Sequence, residues 1–211
     1  MRSKFDEQLA LLNRDLTKMG SLCEEALALA AKALANADGQ TAAKIAPIDS
    51  EIDQMERTIE SLCLKLLLQQ QPVARDLRQI SAALKMITDM ERIGDQASDI
   101  AEIIGFLNGR IGTDAQYICQ MAVAAMRMVT ESVEAYVKRD VAMAEATIQH
   151  DDVVDDLFLK VKESLIQMIS ANPKDGEYAL DLLMIAKYFE RIGDHATNIA
   201  EWVVFSVTGV H

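Results

Sequence analysis

One phrase occurs twice in this chain. Residues 91–102 read Glu-Arg-Ile-Gly-Asp-Gln-Ala-Ser-Asp-Ile-Ala-Glu, and residues 190–201 read Glu-Arg-Ile-Gly-Asp-His-Ala-Thr-Asn-Ile-Ala-Glu. Nine of the twelve positions are identical at a separation of 99 residues, so the chain is an internal duplication. Two halves of roughly 100 residues each follow from a length of 211, the first expected over 1–110 and the second over 111–211. Each copy of the phrase spaces two carboxylates four residues apart, Glu91 with Asp95 and Glu190 with Asp194. On a helix such pairs share a face and repel unless something positive lies between them.

The periodicity is helical throughout. Apolar residues recur in steps of four and three from Phe5 through Leu9, Leu12, Leu16, Met19, Cys23, Ala26 and Ala30 to Leu34, and Asn36-Ala37-Asp38-Gly39 supplies a stop. A second seam runs from Ile45 to Leu66, with Pro47 near its start, and Gln70-Gln71-Pro72 breaks it. A third begins at Leu77, continues through Ile80, Leu84 and Ile87, runs into Glu91 and Gly94, and ends near Asn108-Gly109. The second half repeats the plan: a helix from Asp114 to about Lys138, one from Asp140 to Asn172-Pro173, and one from about Asp175 to Val207. Shifting by 102 lays Asp38 on Asp140, Asp49 on Asp151 and Asp53 on Asp155. With 5% aromatics and only 9 Gly and 3 Pro, the composition favours helices as well. The expected fold is all-α: two tandem three-helix bundles made of six long antiparallel helices.

Function classes narrow next. A net charge of −12 argues against nucleic acid, no basic cluster for an anion stands out, and no apolar run is long enough to span a membrane. Cys23, Cys63 and Cys119 form no CxxC and read as core hydrophobes in a reducing cytoplasm; the first residues show no signal peptide. Counting at 1.5 Å per residue through the hairpins, about positions 71 and 173, sets Asp49 and Asp53 level with Glu91 and Asp95. It likewise sets Asp151 and Asp155 level with Glu190 and Asp194, with Asp152 and Asp156 at the same spacing. Oxygen-only donors suit iron, manganese, magnesium or zinc, and bridging carboxylates can hold several ions. Neutralisation by Arg92, Arg191, Lys85 or Lys187 is the alternative; Asp99 and Glu102 are outer candidates, and His195 reads as an ordinary hydrogen-bonding residue. A ferritin-like di-iron enzyme needs Glu-x-x-His, yet Gly94 and Gly193 stand where that His belongs. A metal-free helical adaptor is the other rival. No catalytic set is evident, so the chain reads as non-enzymatic.

The repeated phrase, the opening Phe5-Asp6-Glu7-Gln8-Leu9, Lys18-Met19 and Glu24-Glu25-Ala26 resemble the PhoU family over essentially the whole chain. The resemblance implies a cytoplasmic, often dimeric regulator of phosphate uptake and of the phosphate-starvation response. Such a regulator acts through the ATPase subunit of a phosphate transporter and a sensor histidine kinase. It further implies multinuclear iron or zinc clusters on Asp49/Asp53, Glu91/Asp95, Asp151/Asp155 and Glu190/Asp194.

Overall fold

The computed structural model describes residues 2–69, 73–107, 109–110 and 115–210. Gln70-Gln71-Pro72, Asn108 and Asp114, used above as stops and a start, lie outside the described residues. Among the described residues the α-helices are six long ones and one short one, with a 3-10 turn at Pro173–Asp175: α1 (Arg2–Asn36), α2 (Gly39–Ala42), α3 (Ile45–Gln69), α4 (Ala74–Phe106), α5 (Gln116–Lys138), α6 (Val141–Ala171) and α7 (Gly176–Thr208). Helices α1, α3 and α4 pack on one another, as do α5, α6 and α7.

The duplication extends to the turns. Helices α1 and α5 both end on a left-handed residue, Ala37 at φ 51° and Arg139 at φ 57°, 102 positions apart. The next residue then caps the following helix: Asp38 accepts from Gln40 N at 2.9 Å, and Asp140 accepts from Met143 N at 3.0 Å. Loss of such a cap costs about 1 kcal/mol. Asp140→Ala is therefore expected to lower the unfolding free energy by that amount, seen as a lower urea midpoint at unchanged slope.

The halves part after the cap. In the second, α6 runs on unbroken, whereas in the first one turn, α2, is separated from α3 by Ala43 and Lys44. Pro47 accounts for the break, because its ring collides with the carbonyl four residues back and it has no N–H to donate. Its equivalent is Gln149, which continues a helix without difficulty.

The expected seams form the core, with two corrections. Leu77 is 44% exposed, since the first turn of α4 reaches past its neighbours and buries Asp76 there instead, whose carboxylate accepts from Val73 N. Glu91 and Glu190 are not in the seam: Met90 and Phe189 are fully buried, while the two glutamate side chains keep 21% and 16% exposure at the rim. Ile80, Ile87 and Gly94 keep the expected seven-residue register, but the buried positions between them are Ala83 and Met90, three residues on, while Leu84 and Glu91, four residues on, lie at the flank.

Between the halves, α4 lies along α7 and α1 along α5. The α4–α7 contact has a pseudo-two-fold. Gln96 and His195, equivalent residues, meet at 3.1 Å on the axis. To one side Asp89 accepts from His195 Nδ1 at 2.8 Å and from Asn198 at 3.1 Å; to the other, at the equivalent positions, the Tyr188 hydroxyl is bonded to Asp99. His195 is thus a bonded interface residue, as its lone occurrence suggested, and Asp99 is turned to this interface.

Candidate metal centre

Each acidic cluster lies where two helices of one half meet beside a glycine. In the first half α3 presents Asp49 and Asp53, and α4 presents Glu91 and Asp95. A Cβ on Gly94 would stand 2.7 Å from Asp49 Oδ1 and 3.0 Å from Ile52 Cδ1, so the missing side chain is what lets α3 and its carboxylate approach. In the second half a Cβ on Gly193 would stand 3.0 Å from Asp151 Oδ1. Hairpin counting placed Asp49 near 93 and Asp151 near 195; both lie within a turn of those positions.

In the first cluster Asp49, Asp53 and Asp95 offer oxygens that lie within 4.8 Å of one another. Asp49 is anchored by Ser98, whose hydroxyl donates to Oδ2 at 2.8 Å, while Oδ1 is buried without a hydrogen-bond partner. Burial lifts the Asp49 carboxyl above its ordinary value, Ser98 opposes the rise, and the charges of Asp95, Asp53 and Asp99 add to it. Glu91 is raised as well, by burial first and then by Asp95, against the pull of Arg92. Arg92 supplies the cation at the rim, 3.0 Å from Asp95 and 3.5 Å from Glu91. Glu56, absent from the sequence reading, belongs here: burial, Glu60 and Asp53 raise it, and Arg57 and Arg92 oppose. The signal was present, because Asp49, Asp53 and Glu56 recur at i, i+4 and i+7 on one face.

The second cluster is more open. Asp151 is half-buried, whereas Asp155 and Asp194 are exposed, and among the described residues only the first cluster brings three ligand atoms so close. Its charges are nonetheless coupled. Asp151 is pushed up to about 6, by burial first and then by Asp155, Asp194, Glu190 and Asp152. Asp194 is raised by burial and Glu190, against Lys187. Asp151 faces Gly193; Asp152, Asp155 and Asp156 are all exposed, and of the charges that raise Asp151, Asp155 comes first and Asp152 last. Lys187 pairs with Glu190 at 2.5 Å, and Lys85 instead lies 6.0 Å over the Trp202 ring.

One observation tests whether these donors suit a metal. A carboxylate oxygen buried with neither donor nor cation beside it is costly, and Asp49 Oδ1 is in that position, directed at a gap created by a glycine. Arg92 reaches Glu91 and Asp95 but makes no ion pair with Asp49 or Asp53. The donor set of the first cluster fits a hard or intermediate multivalent cation, which Asp49, Asp53 and Asp95 would hold with Glu91 beside them; in the second half Asp151, Asp155, Glu190 and Asp194 would be the donors.

Comparison with known proteins gives one consistent result. A family model described as the PhoU domain matches twice, over residues 16–104 and 118–203. A phosphate-specific transport system accessory protein PhoU homolog of Clostridium acetobutylicum is 36% identical over 210 residues, covering 99% of this chain and 96% of that protein. A homolog of the same description in Synechocystis is 36% identical over 213 residues, covering 99% and 93%. The crystal structure of PhoU from Pseudomonas aeruginosa superposes with a TM-score of 0.93 at 33% identity, covering 98% of this chain and all of that one (100%). With its duplicated bundles and a domain match in each half, the chain belongs to the PhoU family.

Proposed function

We propose that this protein is a cytoplasmic accessory regulator of phosphate transport that acts by docking, without catalysis of its own, on the ATPase subunit of a phosphate transporter and on a phosphate-sensing histidine kinase. The observation that carries this reading is full-length similarity to proteins described as accessory to the phosphate-specific transport system. No helix among the described residues is long and apolar enough to cross a membrane, so docking from one side of it suits the fold. The two acidic clusters hold metal, iron or zinc before magnesium or manganese, and a homodimer is the expected assembly.

Capture of partners on the tagged protein from cells grown at high and at low phosphate tests the docking. The transporter ATPase and the kinase should be retained, in proportions that change with phosphate; their absence under both conditions removes the reading. The metal is tested separately. Elemental analysis after chelator-free purification should show metal in the wild type and a large loss in Asp49→Ala/Glu91→Ala. Equal content in both would contradict the assignment of the first cluster.

A further inference from the structure

The N-terminal end of α4 carries the charge that the rest of this acidic chain does not. Arg75 and Arg78 lie three residues apart on one helix face. Long side chains lean toward the N-terminus of their helix, here the positive end of the macrodipole of a 33-residue helix. Arg139 arrives from the end of α5. Its Nη1 donates to Gln79 Oε1 at 3.3 Å, the Gln79 carbonyl accepts from the Tyr136 hydroxyl at 3.0 Å, and the Gln79 amide donates to Asn13 at 3.4 Å. The sequence, read by spacing, showed no basic cluster, because Arg139 is separated from Arg75 and Arg78 by most of two helices; the fold assembles one.

Among the described residues no carboxylate forms an ion pair with Arg75, Arg78 or Arg139. Asp76, on the same turn, is engaged by Val73 N at 3.4 Å. Arg78 Nε is buried with no hydrogen-bond partner, close to where α7 ends: a Cβ on Gly209 would stand 3.6 Å from it. Arg139 is held below the ordinary arginine value, by burial first and then by Arg75, with Arg78 adding to it and Tyr136 and Asp76 opposing.

The duplication shows that the fold does not require this arrangement. The positions equivalent to Arg75, Arg78 and Gln79 are Lys174, Glu177 and Tyr178, and the equivalent of Arg139 is Ala37, which makes the same left-handed turn. At that corner the cation is already paired: Arg110 bonds Asp175 at 2.5 Å and stacks 4.2 Å over Tyr178. Two corners built to one plan thus differ in charge balance, one closed by its own carboxylate and the other left positive.

We propose that Arg75, Arg78 and Arg139 form a binding site for a phosphate-type oxyanion at the N-terminus of α4. Guanidinium forks match phosphate oxygens in pairs, and the helix end adds backbone N–H groups and its dipole. Three arginines less the Asp76 charge leave two positive charges, the complement of a phosphate dianion. The anion is either free orthophosphate or the phosphate of an ester or chain such as a nucleotide. The site is separate from the acidic clusters, and the proposal holds whichever proteins the molecule docks on.

Isothermal titration of the protein as purified, with orthophosphate and in parallel with ATP, tests the site. The wild type should bind, and more weakly as salt rises. Arg75→Gln/Arg139→Ala should weaken binding at least about tenfold, roughly 1.4 kcal/mol, while Lys160→Gln, an exposed change in the middle of α6, binds as the wild type does. Arg139→Ala should keep its fold because Ala37 already makes that turn, and the single exposed change Arg75→Gln provides a second variant. Tighter binding of ATP than of orthophosphate identifies the ester or chain as the ligand, and equal or weaker binding identifies the free ion. Binding unchanged in the double variant overturns the proposal, since the anion would then reside elsewhere; so does a folded wild type that gives no heat with either ligand at millimolar concentration.

Discussion

Asp151→Asn is expected to move the melting temperature in opposite directions with and without metal. In chelated protein at pH 7.5 the Asp151 carboxylate is a burden, because its native value is raised from 3.8 to about 6 by burial and by Asp155, Asp194, Glu190 and Asp152. A carboxyl raised in the native state holds its proton where the unfolded chain has released it. The contribution of Asp151 to the stability of the metal-free protein is therefore greatest below about pH 4, is lost as the pH rises from 4 to 6, and does not return above that. Asn removes the charge and with it this slope. Asp151 is half-buried, so solvent screening reduces the gain to about 1 kcal/mol, or a rise of about 2–4 °C for a chain of this size. With metal present the sign reverses. A cation at a hundred times its dissociation constant contributes about 2.7 kcal/mol, and loss of one ligand oxygen removes most of that. Thermal melts of wild type and Asp151→Asn, chelated and metal-loaded, at pH 5 and 7.5 would display the crossing. A rise in all four conditions would mean that Asp151 holds no metal, and a fall in all four that its carboxylate supports the fold without metal.

Much of this architecture could be read from the sequence because duplication and periodicity reinforce one another. The stops at Ala37 and Arg139, the caps at Asp38 and Asp140 and the two phrases agree at one offset or the other, so an error in one half is corrected by its counterpart. Reading failed where the halves differ or where three dimensions add something. The one-turn helix α2 went unread, whereas α3 begins at Ile45 with Pro47 tolerated in its first turn, as expected. The pairing of α4 with α7 and of α1 with α5 left no one-dimensional sign. These helices are buried on more than one face, by small residues such as Ala82, Ala83, Ala97, Ala122, Ala125 and Ala135, which look alike toward either neighbour.

The candidate site was legible to the same degree. Asp49, Asp53 and Asp95 converge as counting through the hairpin required, because two straight antiparallel helices keep a constant register. Glu91 was placed in the seam for another reason: the apolar steps fix the line through Ile80, Ile87 and Gly94 but not which flank of it is buried, and the packing buries Ala83 and Met90 rather than Leu84 and Glu91. Glu56 escaped because Phe158 stands at the equivalent position, and Ser98 because its hydroxyl, though repeated as Thr197, is not a carboxylate. The search for repeated carboxylates therefore passed over two of the groups that set the charge of the first cluster. The arginine corner escaped for a related reason: net charge describes the whole chain, whereas a binding surface depends on what the fold places together.

The two glycines of the repeated phrase are expected to respond differently to one added methyl group. Either change to Ala gains about 1 kcal/mol of helix propensity, so the outcome depends on what the new Cβ meets. At Gly193 the nearest atom is Asp151 Oδ1 at 3.0 Å, followed by Val154 Cγ1 at 3.5 Å, and Asp151 can turn toward solvent on the open side of its cluster. At Gly94 the Cβ would meet Asp49 Oδ1 at 2.7 Å and Ile52 Cδ1 and Cγ2 at 3.0 and 3.3 Å. There Asp49 is tied through Oδ2 to Ser98 and Ile52 is fully buried, so neither yields freely. Overpacking of a fixed core costs about 1–3 kcal/mol, enough to cancel the propensity gain and exceed it by about 1 kcal/mol, and the displaced Asp49 oxygen is the one assigned to metal. Gly94→Ala should thus lower the denaturation midpoint and the metal content together, whereas Gly193→Ala should leave stability unchanged or slightly raised. Denaturant titrations and elemental analysis of the two variants decide it. Equal behaviour would show that the approach of α3 to α4 is no tighter than that of α6 to α7, and would remove the reason for a glycine at position 94.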